Sequence, residues 1–226
     1  MASRLGPIKR TLWRDIAADL DRFRVTDKRS VWTMPIMCPA SVACVMYRLQ
    51  HAVWSYSGRF RVLMLPLKVL LMIVGRLVEV YTGIWIAPDA EIGPGLYIGH
   101  FGGVIIGSVV IGSNCNLSPG VVIGQSVRGA HRGRPTFGDR VYIAAGAKLF
   151  GSITIGNDVA IGANAVVTRS MPDRAVALGV PAQVKSFAGS FEVILYRNMD
   201  SDPARLDSMA KHSAEAPQDE VAYYVE

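Results

Sequence analysis

Histidine is the side chain best suited to moving a proton near neutral pH, and this sequence has four of them. His51 falls in an N-terminal stretch of helical character and His212 near the C-terminus, which leaves His100 and His131 in the middle of the chain. His100 stands two places after Ile98 in Ile98-Gly99-His100, so its ring is expected to emerge near a turn and face outward, where it suits proton removal from a hydroxyl nucleophile. His131 lies in the polar, basic insertion from Gln125 to Thr136, together with Arg128, Arg132 and Arg134. That insertion is too long for a corner turn, and such loops commonly carry function. Metal chemistry lacks its ligands. Cys38, Cys44 and Cys115 are odd in number without CxxC spacing, and no His-x4-His pair occurs, so neither a zinc site nor a disulfide is expected.

The elements that must position His100 are legible as a repeat. Large apolar residues recur every six positions at Ile86, Ile92 and Ile98 and, after one extra residue, at Ile105, Ile111, Leu117 and Ile123. The register resumes at Phe137, Ile143, Leu149, Ile155, Ile161 and Val167, often with Gly or Ala next in sequence. A period of six fits neither a helix nor an alternating strand alone. It fits a short strand and a tight corner with one inward aliphatic per unit, three units closing a triangular coil. Gly107, Asn114, Asn157, Asp158 and Asn164 are of the types that corner backbone requires. The expected fold class is mainly β, a solenoid of stacked coils.

The register and motifs resemble the hexapeptide-repeat acyltransferases, specifically their serine acetyltransferase branch. The likeness runs from about Gly83 to Lys185. It is carried by Ile86-Ala87-Pro88-Asp89-Ala90-Glu91-Ile92-Gly93, Ile98-Gly99-His100, Val141-Tyr142-Ile143-Ala144-Ala145-Gly146-Ala147-Lys148 and the closing Gly179-Val180-Pro181-Ala182. The resemblance implies a left-handed parallel β-helix, a homotrimer, and acetyl-CoA as co-substrate in the groove between adjacent subunits. It also implies His100 as the catalytic base in direct acetyl transfer to a hydroxyl through a ternary complex. On the same basis Ala145, Gly146, Ala147 and Ala163 leave backbone open to the pantetheine arm, and Lys185 attracts the CoA phosphates. The extended loop with His131 and Arg134 would reach across the groove to the acceptor pocket.

Three departures bear on the acceptor. The family pattern has acidic residues where this chain has Trp85 and Gly99, and a histidine where it has Arg134. Trp85 and Arg134 suit stacking on a sugar ring and pairing with an anion. With a helical front that looks like that of bacterial enzymes acetylating exopolysaccharide or capsule precursors, the expected acceptor is therefore a sugar hydroxyl of a polysaccharide precursor. Serine O-acetylation is the alternative, and a non-catalytic trimeric assembly protein is the alternative of another class.

The expected organisation is an α-helical region at 1–82, the β-helix acetyltransferase domain at 83–187 and a C-terminal extension at 188–226, with Met199–Glu226 polar enough for a disordered tail. Charge is uneven: residues 1–80 hold thirteen Lys and Arg against five Asp and Glu, whereas Met199–Glu226 holds two against seven. The apolar stretches Ser30–Tyr47 and Val62–Val74 are broken by Pro35, Pro39, Pro66 and Lys68, so they suit helices on an anionic membrane surface or ordinary packing better than a span. No signal peptide or nucleic-acid motif is read, and a cytoplasmic protein, at most peripheral to the membrane's inner face, is expected.

Overall fold

The computed structural model describes residues 12–28, 30, 32–56, 62–126 and 132–215. Helices α1 (Leu12–Asp27), α2 (Met34–Met37), α3 (Pro39–Trp54) and α4 (Leu65–Thr82) precede a left-handed parallel β-helix of about five turns. Gly83 joins the two parts. It ends α4 at φ +66°, and a Cβ there would stand 3.0 Å from Gly102 Cα, so only glycine lets the helix stop this close to the coil.

Each of the first four turns contributes one short strand to each of three sheets. The first turn holds β1 (Ile84–Ile86), β2 (Glu91–Ile92) and β3 (Tyr97–Ile98), the second β4 (Val104–Ile106), β5 (Val110–Ile111) and β6 (Asn116–Leu117). The third holds β7 (Val122–Gly124), β8 (Thr136–Phe137) and β9 (Tyr142–Ile143), the fourth β10 (Lys148–Phe150), β11 (Thr154–Ile155) and β12 (Ala160–Ile161). The last contains β13 (Val166–Val167) and β14 (Val176–Leu178), and β15 (Gln183–Ser186) folds back on β14 as an antiparallel edge. Sheet A is β1-β4-β7-β10-β13, sheet B β2-β5-β8-β11 and sheet C β3-β6-β9-β12-β14-β15.

Stacking in register puts one buried aliphatic or aromatic side chain above another. The columns are Ile86, Ile106, Ile123, Leu149 and Val167 in sheet A, Ile92, Ile111, Phe137 and Ile155 in B, and Ile98, Leu117, Ile143 and Ile161 in C. The sequence expectation is corrected at one place. Ile106, fully buried, is the inward residue of its strand, and Ile105 is 45% exposed. The corner after Ile98 has two extra residues and the next corner one fewer, and a one-residue slip sends a strand's side chains to opposite faces.

The first turn has no preceding turn to pair with, and the helices satisfy its edge. Asp19 on α1 accepts hydrogen bonds from the N–H groups of Gly95 and Leu96, both at 2.9 Å. Arg48 on α3 donates to the carbonyls of Ile92 and Gly93 at 2.6 and 2.7 Å, and Tyr47 donates to the Ala90 carbonyl at 2.7 Å. Arg48 also forks onto Asp19, with Nε and Nη2 2.7 and 3.0 Å from its carboxylate oxygens. Arg22 on α1 donates to the Gly95 carbonyl at 2.9 Å, to Asn116 Oδ1, and to the Leu195 carbonyl at 2.8 Å.

Through Leu195 the C-terminal extension is tied to the helical front, which corrects the expectation of a disordered tail from Met199. Met199–Ser201 is a 3-10 turn and α5 (Pro203–Glu215) a helix, because Phe191, Ile194 and Tyr196 are buried and Arg205 donates to the Phe191 carbonyl at 3.1 Å. Residues 216–226 lie outside the described residues. Because Asp19 and Arg48 are both buried, Asp19→Ala should leave Arg48 only the more distant Asp15, 3.8 Å away, strip the Gly95 and Leu96 N–H groups of their acceptor, and cost about 3–5 kcal/mol. Lys211→Ala, which breaks an exposed pair with Asp207, should change stability by less than about 1 kcal/mol. Urea unfolding of the two variants checks both values.

Candidate active site

His100 belongs to the corner that links β3 to β4. That corner must bridge sheets C and A while accommodating the end of α4, and it does so with three left-handed residues among four: His100 at φ +59°, Gly102 at +101° and Gly103 at +68°. Gly99 N–H bonds to the Leu117 carbonyl at 2.8 Å and Gly102 N–H to the Thr82 carbonyl at 2.9 Å, so the corner is pinned on both sides of the histidine. The imidazole itself is exposed. A non-glycine residue held at positive φ is the kind of local strain that concentrates at functional sites.

The later corners between sheets C and A stack beneath it. Gly120 N–H bonds to the Gly102 carbonyl at 3.2 Å, Gly146 N–H to the Pro119 carbonyl at 2.9 Å and Asn164 N–H to the Ala145 carbonyl at 2.8 Å. His100, Pro119-Gly120, Ala145-Gly146 and Ala163-Asn164 therefore form one column along the solenoid. Ala145 and Ala163 are exposed at its surface, while Ala147 is buried in the core. At about 4.8 Å per turn, His100 stands about 14 Å from the Ala163 corner, a span an extended pantetheine arm can follow. Lys185, on β15 just past the last corner, is exposed, with Nζ 3.4 Å from Gln183 Oε1.

Trp85 lies on β1 opposite Ile105, on the outward face of sheet A. It lines a cavity with Arg76, Glu79, Val80, Gly83, Gly103 and Ile105, whose Gly103 is three residues from His100. Arg76 and Glu79, one turn apart on α4, are paired at 2.5 Å on the wall of that cavity. This carboxylate escaped sequence reasoning, because nothing in the i,i+3 pair on a helix announces that the helix ends beside a distant histidine.

Arg134 is exposed at the opposite margin of sheet A, in the connection between β7 and β8. Ser126 and Gly133 close the base of that loop with reciprocal N–H to carbonyl bonds of 3.1 Å. Within one chain, Arg134 and His100 thus occupy different corners and are not brought together. His131 lies outside the described residues. Burial pushes the Cys115 thiol up to about 12, which removes it as an acyl acceptor. Among the described residues no group of three or more His, Cys, Asp and Glu is arranged to hold a metal.

No family model matches the chain. It is 37% identical over 172 residues to a serine acetyltransferase from Helicobacter pylori, which covers 75% of this chain and 95% of that protein. Among solved structures, soybean serine acetyltransferase complexed with serine aligns with a TM-score of 0.66 at 30% identity, covering 76% of this chain and 69% of that one. A serine acetyltransferase in complex with CoA aligns with a TM-score of 0.62 at 30% identity, covering 76% and 69%. These likenesses overturn the expected sugar-hydroxyl acceptor and the polysaccharide branch. That expectation weighed three substituted positions, Trp85, Gly99 and Arg134, without seeing which charges other elements supply around them.

Proposed function

The chain belongs to the serine acetyltransferase family, and from that premise we propose that it transfers the acetyl group of acetyl-CoA to the side-chain hydroxyl of serine. The observation that carries the proposal is the corner column: one outward histidine at its head, followed by small exposed residues leading away from it. In this reading the thioester arm lies along Ala145, Gly146 and Ala163, Ala147 shapes the corner from within, and Lys185 draws the CoA phosphates. His100 takes the proton from serine Oγ as that oxygen attacks the thioester carbonyl. The resulting oxyanion is held by backbone N–H groups lining the groove other than those of Gly102, Gly120, Gly146 and Asn164, which bond within the coil. The tetrahedral intermediate then expels the CoA thiolate, which recovers a proton from the imidazolium, giving O-acetylserine and CoA.

Serine is a zwitterion, and its two charges need partners. Glu79 and Arg76 supply a carboxylate and a guanidinium in the Trp85 cavity, and so compensate for the acidic residues absent at Trp85 and Gly99. Arg134, at the far margin of sheet A, and His131 in the same loop would serve the groove of a neighbouring subunit, so the working unit is a homotrimer. Trp85 forms the wall between the two margins.

CoA release from acetyl-CoA by the purified protein should depend on added serine. Serine-independent or absent release would refute the assignment. His100→Asn, chosen because asparagine tolerates positive φ, should fold normally and lose about 10²–10⁴ in kcat. Glu79→Gln should raise KM for serine by roughly tenfold or more, with KM for acetyl-CoA little changed, since a charge-assisted contact to the ammonium is lost. Ala163→Trp, at an exposed corner, should do the reverse and raise KM for acetyl-CoA.

A further inference from the structure

A charged side chain taken out of water ordinarily brings a partner of opposite sign with it. Among the described residues four arginines are buried, and three of them have an aspartate beside them: Arg48 has Asp19 at 2.7 Å, Arg140 has Asp158 at 2.6 Å and Arg205 has Asp200 at 3.7 Å. Arg22, 2% exposed, has no ion-pair partner among the described residues. Its hydrogen bonds go to the carbonyls of Gly95 and Leu195 and to Asn116 Oδ1, all neutral, and they use three of the five N–H groups of the guanidinium. Asp19, one turn back on α1, is taken up by Arg48 and by the N–H groups of Gly95 and Leu96. Burial draws the Arg22 pKa down to about 10, and the group still carries its charge near neutral pH.

Arg22 lines a cavity of about 420 Å³ between α1 and the C-terminal segment, within the range of roughly 300–1,000 Å³ usual for small-molecule sites. Arg14, Ala18 and Asp21 share the α1 side of it, Asn114 comes from the B–C corner, and the chain from Tyr196 to Pro203 supplies the other side. The two carboxylates of the lining are answered. Asp21 is paired with Arg197 at 2.5 Å, and Asp202 accepts from the Tyr196 hydroxyl at 2.5 Å and from Ala204 N–H at 2.9 Å, with Arg140 3.8 Å away. Two of the three lining arginines are not. Arg14 is exposed and, like Arg22, has no ion-pair partner among the described residues.

We propose that this cavity binds a phosphorylated small molecule, with the phosphate toward Arg22 and Arg14 as the second cation. Two unanswered guanidinium groups match the charge of a phosphate monoester, and arginine is the side chain that pairs with phosphate through two parallel bonds. A bare inorganic ion would leave most of the space unfilled, because positions 14 and 22 are about 12 Å apart along α1. Asn114, Asn198 and Ser201 offer hydrogen bonds to a hydroxyl-bearing body in the remainder. The cavity lies at the B–C corner, across the triangular coil from sheet A, whose margins carry the groups assigned to acetyl transfer. It is therefore separate from that site and from the subunit contacts that site would need.

Titration calorimetry of the full-length protein with glycerol 3-phosphate and with glucose 6-phosphate tests the proposal, beside glycerol, glucose and sulfate at equal ionic strength. Both esters should bind saturably, one per chain, while the neutral alcohols give no binding and sulfate binds at least about tenfold more weakly. Arg14→Gln, at an exposed position, should weaken ester binding about tenfold, and Ala18→Leu, which fills the cavity without altering a charge, should abolish it. The rate of CoA release should be unchanged in both variants. No saturable binding of either ester overturns the proposal, as does equal affinity in wild type and both variants. Sulfate binding as tightly as the esters overturns it too, reducing the cavity to a site for an adventitious ion only. Failure here leaves the enzymatic reading intact, since none of these residues belongs to the His100 column.

Discussion

A parallel solenoid can be extended one turn at a time, but its first turn has a row of backbone groups facing nothing, and the closure of that edge shapes much of what the chain carries besides the repeat. Here side chains of α1 and α3 take the place of a preceding turn. Burial pushes the Asp19 carboxyl above its ordinary range, and four donors, two from Arg48 and the N–H groups of Gly95 and Leu96, work against that cost. Arg22 extends the same network along the coil. It sits between the rings of Tyr97 and Tyr196, 6.0 and 5.9 Å from their centroids, and its hydrogen bond to Leu195 makes the C-terminal segment depend on the helix that closes the other end of the sequence.

Two corner columns show how one backbone requirement serves different ends. Between sheets B and C, Asn114, Arg140, Asp158 and Arg174 hold φ between 55° and 64°. Arg140 and Asp158 form a bidentate pair there at 2.6 and 3.0 Å, and Ser190 donates to the Arg140 carbonyl at 2.6 Å, so the C-terminal segment seals that column. Between sheets C and A the left-handed positions are taken mostly by glycine, and alanine stands exposed beside them. Nothing in the described chain covers this second column. The open column is the one headed by His100, which is what a site for an extended thioester arm requires.

The solenoid was legible because its core depends on one aliphatic residue per strand, and a period of six survives in sequence whatever the neighbours do. The expectation for Ile105 fails where that rule gives way: the His100 corner is two residues longer than the repeat, and periodicity carried across it lands on the wrong face. The capping network left no such trace. Asp19, Arg22 and Arg48 bond mainly to backbone groups some 44 to 77 positions away, and backbone acceptors have no sequence signature. The C-terminal segment was misread for a related reason. Its composition is polar, but Phe191, Ile194 and Tyr196 need only a few contacts with the front to hold it in place.

The acceptor shows the same limit on reading position by position. An acidic residue missing from β1 and from the His100 corner argues against an amino-acid acceptor only if no other element can place a carboxylate there. Helix α4 puts a carboxylate near Trp85: Glu79, twenty-one positions before His100, lines the cavity that also holds Trp85 and Gly103, because Gly83 brings the last turn of the helix against the corner. The helix therefore has three distinct sides: one packed on α3, one carrying a charged pair toward the site, and one apolar and open. Gly83, where a Cβ would meet Gly102, and the bond from Gly102 N–H to the Thr82 carbonyl join all three sides to the first turn of the solenoid and to the corner that carries His100.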